Sequence, residues 1–371
     1  MLYQAVALLV IGLAVWLLVH NTHENLRGRG IQSGFDFLGA AAGFDIGETP
    51  IPFSPADSYA RAIWIGVLNT LRVALIGILL TTIVGVLIGI GRFSRNALVR
   101  ALCSSYVEVF RNVPLLLQLL MWYLLFVEVL PPPQAAWQVA GLIYLSKGGL
   151  AFPVPVWGAA HLWGLAGVLT GLAAGWGWRR WAQRQFELTG EERDRVWVPV
   201  LAVLLCAAVG AWLGGAPGEW QVPEQLPFAV DGGASATPEF LALLLGLVLY
   251  TAAFVAEVVR GGIQSVGRGQ VEAAGALGLS HRQQMRLVVL PQALRVIVPP
   301  LTNQYLNLTK NSSLAVAIGY PDVVSIANTT LNQSGRAVEC IAIIMVVYLT
   351  TSLTTSAFMN VYNRRVAIKE R

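Results

Sequence analysis

The stretch EVVRGGIQSVGRGQVEAAGALGLSHRQQMRLVVLPQALRVIVPP, residues 257–300, is a charged island between two long apolar segments. Its middle, Glu272-Ala273-Ala274 with Gly278 four residues on, reads as a short helix with a built stop. Glu272 is expected in the first turn, where the positive end of the helix dipole favours an acid. Ala273, Ala274 and Ala276 are strong helix formers. Gly278 stands where a helix ends in the left-handed conformation. Ser280 and Gln283 have capping-box spacing and start a second helix, which Pro291 kinks or restarts. The local prediction is helix, glycine turn, capped helix, rich in arginine and flanked by membrane.

Composition agrees with that setting. Of the 371 residues 56% are apolar and 12% charged, which excludes an ordinary soluble domain. The net charge of +5 is nearly all arginine, since lysine occurs only at 147, 310 and 369. The arginines cluster beside apolar spans, as the positive-inside rule expects, so a nucleic-acid partner is excluded. Cys103, Cys206 and Cys340 are isolated in or beside apolar runs and read as packing residues; no metal site is visible. There is no Gly-Lys dipeptide anywhere, hence no Walker A loop and no ATP hydrolysis by the P-loop route.

Read in order, the chain predicts about eight membrane spans. The first is Leu2–Val19, followed by an irregular polar loop at 21–58 rich in proline. Ala60–Ile90 is the second and overlong. Ala101–Leu130 is the third, ended by Pro131-Pro132-Pro133. A short connection at 134–151 leads to Phe152–Trp176 and Trp197–Leu213, separated by the arginine-rich loop WRRWAQRQFELTGEERDRV. A Gly/Pro-rich loop at 216–237 precedes Pro238–Ile263. The seventh span, Leu287–Leu308, is expected to be broken at Pro299-Pro300, and Val338–Tyr362 is the eighth. Placing every basic cluster inward puts both termini, 91–100, 177–196 and 264–286 in the cytoplasm.

Three further stretches carry a resemblance. They are Tyr106-Val107-Glu108-Val109-Phe110-Arg111-Asn112-Val113-Pro114, Tyr250-Thr251-Ala252-Ala253-Phe254-Val255-Ala256-Glu257 and Leu308-Thr309-Lys310-Asn311-Ser312-Ser313-Leu314. With the Glu272-Ala273-Ala274…Gly278 island and Leu290-Pro291, the chain resembles permeases of binding-protein-dependent ABC importers for polar amino acids. In that family the island is the coupling helix that docks into a groove of the ATPase. The resemblance covers segments 60–130 and 238–362, a five-span core. The extra N-terminal span and an inserted hairpin resemble the permeases of "general" L-amino-acid importers. It thus implies an all-α integral membrane protein in four parts: 1–58 the N-terminal span and outer loop, 59–130 the first part of the core, 131–237 the hairpin, and 238–371 the rest.

The resemblance also implies partners. These are a second, different permease as heterodimer mate, two ATP-binding subunits that carry ATP and Mg, a periplasmic amino-acid-binding protein, the lipid bilayer of the bacterial inner membrane, and an L-amino acid as cargo. The chain itself would bind no cofactor and catalyse nothing. Glu272, Ala273, Ala274, Leu277, Gly278 and Leu279 would couple to the ATPase. The alternative is an ion-coupled secondary transporter, which needs buried acids in the spans. The acids there, Glu108 and Glu257, each precede an arginine by three residues, and Glu108/Arg111 and Glu257/Arg260 read as helix-surface ion pairs at similar depth. They either satisfy charge at the membrane boundary or form an inner gate.

Polar groups deep in the spans are few. Gln118 is expected at or beyond mid-depth of the third span, about 25 Å from Ala101 at ~1.5 Å per residue. Asn303, Gln304, Lys310, Asn311, Ser312 and Ser313 follow the expected break at Pro299-Pro300, and broken helices bind polar cargo. Lys310 either meets a substrate carboxylate or snorkels to the outer interface. The asparagines either bind cargo or cross-link helices. Arg72 is a further candidate.

Overall fold

A computed structural model of the chain describes residues 2–28, 34–190, 193–194, 196–216 and 218–366. The fold is helical, in two compact units: residues 1–128 with 237–371, and 129–236. Of the inward basic residues, Arg195, Lys369 and Arg371 lie outside the described residues.

The first unit begins with α1 (Leu2–Gly28), which continues the first expected span past His20 and His23. After it, 34–58 is irregular but not free. Phe37, Ala42 and Ile46 are buried against Tyr59, Ala62, Ile63, Ile326 and Cys340. Apolar side chains in a polar loop have found a core, and backbone bonds from Ala42 to Asp57 and from Gly43 to Pro55 hold its ends together. Ser58 then caps α2 (Tyr59–Gly91), accepting from the Arg61 amide.

The third span differs from expectation. It is two helices, α3 (Ala97–Asn112) and α4 (Leu115–Leu124, continued as a π turn to Val129), bent by 104°. The break falls after Arg111-Asn112, where an amphipathic helix gives way to an apolar one. Pro114 has no N–H to donate, and Val113 before it is extended at φ −97°, ψ 129°, as a residue preceding proline prefers.

The second unit opens with a small sheet where a plain connection was expected. β1 (Trp137–Val139), β2 (Ile143–Ser146) and β3 (Gly149–Phe152) form an antiparallel meander. β4 (Val154–Pro155) follows, and α5 starts at Ala159 rather than Phe152 and runs to Thr189. It returns as α6 (Trp197–Leu213). The expected outer loop holds β5 (Trp220–Gln221, paired with β4), β6 (Glu224–Gln225) with β7 (Val230–Asp231), and β8 (Ala234–Ala236), which adds antiparallel to β3.

Back in the first unit, Thr237 caps α7 (Pro238–Gln264), the most buried long helix. It lies against α2, where glycines let the backbones meet. A Cβ at Gly89 would stand 2.9 Å from the Ala256 carbonyl, and one at Gly85 would strike Val255 at 2.5 Å. The island gives α8 (Arg268–Ala276) and a single turn α9 (His281–Gln283). A π stretch over 284–289 joins it to α10 (Leu290–Asn311) as one continuous rod, with Pro291 in the first α turn after the π stretch.

Pro299 and Pro300 do not break α10, contrary to expectation; both sit inside one continuous helix. Proline already has a helical φ, and a membrane helix tolerates it where neighbours and hydroxyl groups serve the freed backbone. One turn on, Thr302 Oγ1 donates to the Val298 carbonyl at 3.2 Å, an i−4 bond within the same helix. A 3-10 segment over 312–318, α11 (Val323–Ser334) and α12 (Ala337–Val366) complete the chain. α7, α10 and α12 share a core of Val255, Val259, Ala293, Ile297, Tyr305 and Met359.

Among the described residues, four helices are long and apolar enough to cross a membrane: α2, α7, the α9–α10 rod and α12. The bent α3–α4 pair makes a fifth. The other three of the expected eight would be α1, α5 and α6.

Candidate functional site

Four groups of side chains stand out in the first unit: the turn after α8, an open face of α10, an arginine cluster joining the end of α2 to α3 and α7, and a buried cluster around Glu48.

The turn after α8 is a Schellman stop. Gly278 has φ +75°; its amide donates to the Gly275 carbonyl at 2.9 Å, and the Leu279 amide reaches back to Ala274 at 3.2 Å. Gln283 Oε1 accepts from the Ser280 amide at 2.8 Å, so the next helix is capped at its first residue. Glu272 is not in the first turn, because α8 begins at Arg268; Gly267 starts the helix one turn earlier than the acid suggested. Ala274 is buried, whereas Glu272 and Ala273 face out, Leu279 is half-buried and Leu277 is 81% exposed. Leu277 thus presents its side chain outward from the turn.

On α10 the exposed positions Val296, Pro299, Asn303, Asn307 and Lys310 follow helical spacing and form one face. Its outer half is polar. Asn303, Gln304, Asn307, Lys310 and Asn311 make no side-chain hydrogen bond or ion pair among the described residues, leaving amides and an ammonium along about 10 Å of helix. Ser312 and Ser313 part from this face: Ser312 is fully buried and donates to the Thr309 carbonyl at 2.7 Å, and Ser313 donates to the Lys310 carbonyl at 2.8 Å. Gln118 departs further. The bend at Pro114 voids its expected depth, and its Nε2 donates to the Phe110 and Val113 carbonyls at 3.0 and 2.9 Å. It braces the elbow between α3 and α4.

The expected pairs Glu108/Arg111 and Glu257/Arg260 resolve into one cluster. Glu108 is exposed and makes no ion pair among the described residues. Arg111 turns instead to Glu257 at 3.9 Å and lies over the Phe254 ring, 5.2 Å from its centroid. Arg260 Nε donates to Glu257 at 3.1 Å, and Arg92 from the end of α2 bonds the other carboxylate oxygen. One carboxylate therefore gathers three guanidinium groups from three helices. A local reading of spacing finds i,i+3 partners only; Arg92 is brought in by the α2–α7 crossing.

Sequence reasoning missed the cluster around Glu48. Glu48, buried in the docked loop, bonds Arg72 and Thr237, while Arg72 stacks over Phe240 at 4.3 Å. Arg72 is thus already neutralised by a residue of the N-terminal extension. Beside it, Asp322 caps α11, accepting from the Ser325 amide at 2.8 Å and, more loosely, from the Tyr348 hydroxyl at 3.4 Å. Burial pushes its carboxyl up to about 7.

The profile described as "Binding-protein-dependent transport system inner membrane component" matches residues 195–368. The general L-amino acid transport system permease protein AapQ of Rhizobium johnstonii is 46% identical over 369 residues, covering 100% of this chain and 92% of the relative. The chain belongs to the permease subunits of binding-protein-dependent amino-acid ABC transport systems. A putative amino-acid ABC transporter permease of Escherichia coli, YhdX, is also 46% identical, with 100% and 94% covered. The glutamate/glutamine/aspartate/asparagine permease BztB of Rhodobacter capsulatus is 43% identical over 398 residues, with 99% and 93% covered. A crystal structure of an amino acid ABC transporter with histidines aligns at TM-score 0.49 and 22% identity, covering 83% of this chain and 95% of that one. The permease is accordingly a multi-pass inner-membrane subunit of an ATP-driven importer. The ion-coupled alternative has no support in these matches.

Proposed function

We propose that this permease is one half of a heterodimeric pathway for general L-amino acids. A periplasmic binding protein delivers the cargo, and two separate ATPase subunits hold ATP and Mg. Both termini lie in the cytoplasm. The observation that carries the reading is the turn after α8: a Schellman stop that presents Leu277 outward beside Glu272. An apolar knob next to an acid on a short rigid helix suits a groove with a basic or dipolar rim. The matches of full length to amino-acid permeases supply the cargo class.

The open face of α10 is the cargo path in this reading. A zwitterion needs an acceptor for its ammonium and donors for its carboxylate, and charges held in a membrane must be paired. Lys310 serves the carboxylate, while Asn303, Gln304 and Asn311 bond either end. Contacts confined to groups that every amino acid shares give broad specificity. Glu257 with Arg92, Arg111 and Arg260 closes the inner end.

The test is stimulation of ATP hydrolysis by binding protein in the reconstituted complex. Gly278→Val is expected to abolish it while the complex still assembles, since a β-branched residue resists positive φ. Unchanged stimulation would overturn the coupling role. For the path, Lys310→Ala and Asn303→Ala should lower uptake of several amino acids together. Wild-type uptake of all of them would move the path to the partner permease.

A further inference from the structure

We propose that the second unit binds an anionic phospholipid, its acyl chain in a slot between α5 and α6 and its phosphate on the arginines at the end of that slot. The slot has a volume of about 470 Å³ and is walled by Leu172, Trp176, Val200, Val203 and Leu204, with Arg179 at one end. Its floor is backbone. A Cβ at Gly171 would stand 2.5 Å from the Val203 Cα, and one at Gly175 would stand 3.0 Å from the Pro199 Cβ. The two helices touch so closely that nothing rises between the flanking leucines. What remains is a narrow apolar channel along the hairpin, open on its outer side, of the shape a hydrocarbon chain fills.

The chemistry at its end selects the headgroup. Arg179, Arg180 and Arg184 follow directly on the apolar run, and α5 carries no acid from 159 to 186. Arg180 is held over the Trp176 ring, 3.8 Å from its centroid, so one wall of the slot and one cation form a single rigid piece. Trp178 donates to the Asp194 carbonyl at 2.9 Å, which fixes the loop edge, and Trp181 packs on Trp178 at 4.9 Å. Tryptophans at this level mark the headgroup zone. Among the described residues, Asp194 Oδ1 caps α6, accepting from Val196 and Trp197 at 2.7 Å each, and Glu187 accepts from Gln183 at 3.1 Å. Basic pockets between membrane helices take acidic headgroups, and the apolar slot makes the ligand a lipid rather than free phosphate.

The experiment uses the full-length, delipidated protein in detergent. Phosphatidylglycerol or phosphatidylcholine with the same acyl chains is added, and retained lipid is counted by native mass spectrometry. Wild type should retain phosphatidylglycerol about tenfold better. The variant with Arg179→Gln, Arg180→Gln and Arg184→Gln should bring that down to the phosphatidylcholine level. Leu204→Trp, or Leu172→Trp if the first variant misfolds, fills the slot and should remove retention of both lipids. Equal retention of the two lipids by wild type overturns the proposal. So does displacement by inorganic phosphate, or retention unchanged by filling the slot.

Discussion

Asp322 is a residue whose location sets its chemistry. As cap of α11 it must keep an acceptor, yet it is buried, which penalises its charge. Its carboxyl titrates near 7, above the ordinary 3.8, so the folded chain holds a proton between about pH 4 and 7 that the unfolded chain releases. Stability should therefore fall as pH rises through that window, and the loss is complete above 7. Asp322→Asn keeps the cap acceptor and removes the charge. A melting temperature raised by a few degrees at pH 8, with the gain shrinking as the pH falls and gone at pH 4, is the expected result. Gly278 is the complementary case, where backbone rather than charge is decisive, and it was readable from sequence because only glycine suits that φ. Asp322 was not readable, since its pKa depends on Tyr348 and on burial by segments far away in the chain.

At the scale of elements, two hinges show what a sequence reveals and hides. Pro114 bends the third span by 104°, while Pro299 and Pro300 leave α10 whole. Pro114 follows the polar pair Arg111-Asn112 with an extended Val113 between, whereas Pro299 and Pro300 lie inside a helix that stays regular on both sides. At the elbow Gln118 serves the Phe110 and Val113 carbonyls, so Gln118→Leu should lower stability by about 1–2 kcal/mol, read from unfolding of the solubilised complex. The arginine cluster offers a graded test. Glu257→Gln leaves Arg92, Arg111 and Arg260 without their shared counter-charge. With the groups 14–38% exposed, screening holds the cost to about 1–3 kcal/mol. Arg111→Gln should cost far less, because its 3.9 Å contact is long and outward, and Glu108→Gln should cost nothing measurable. Equal losses in all three variants would return the cluster to two independent pairs. Spacing found Arg260 in the sequence; Arg92 could not be found, because helix crossings are tertiary facts.

For the whole molecule, the extension and the insertion are where sequence said least. The polar loop at 34–58 hid Phe37, Ala42 and Ile46 behind its prolines, and the residues around the hairpin gave no strand signal longer than four residues. The helices themselves were legible from apolar runs: Trp197–Leu213 was located to the residue, and α2 to within one at each end. What apolar runs cannot supply is the side on which each loop lies. The eight-span reading assigns it from arginine alone, counting α1, α5 and α6 as spans and the bent pair as one. An added or missing span inverts every loop beyond it, so one loop on each side of α6 is enough to decide. Gln185, half-buried near the end of α5, and Gly232, in the turn between β7 and β8, are such positions. Single cysteines placed there, in a chain whose own three cysteines are replaced, should react differently with an impermeant thiol reagent on intact cells. Position 232 is expected to label and 185 to stay protected until the cells are opened. The reverse pattern would invert the scheme and place the arginines of α5 against the outer leaflet.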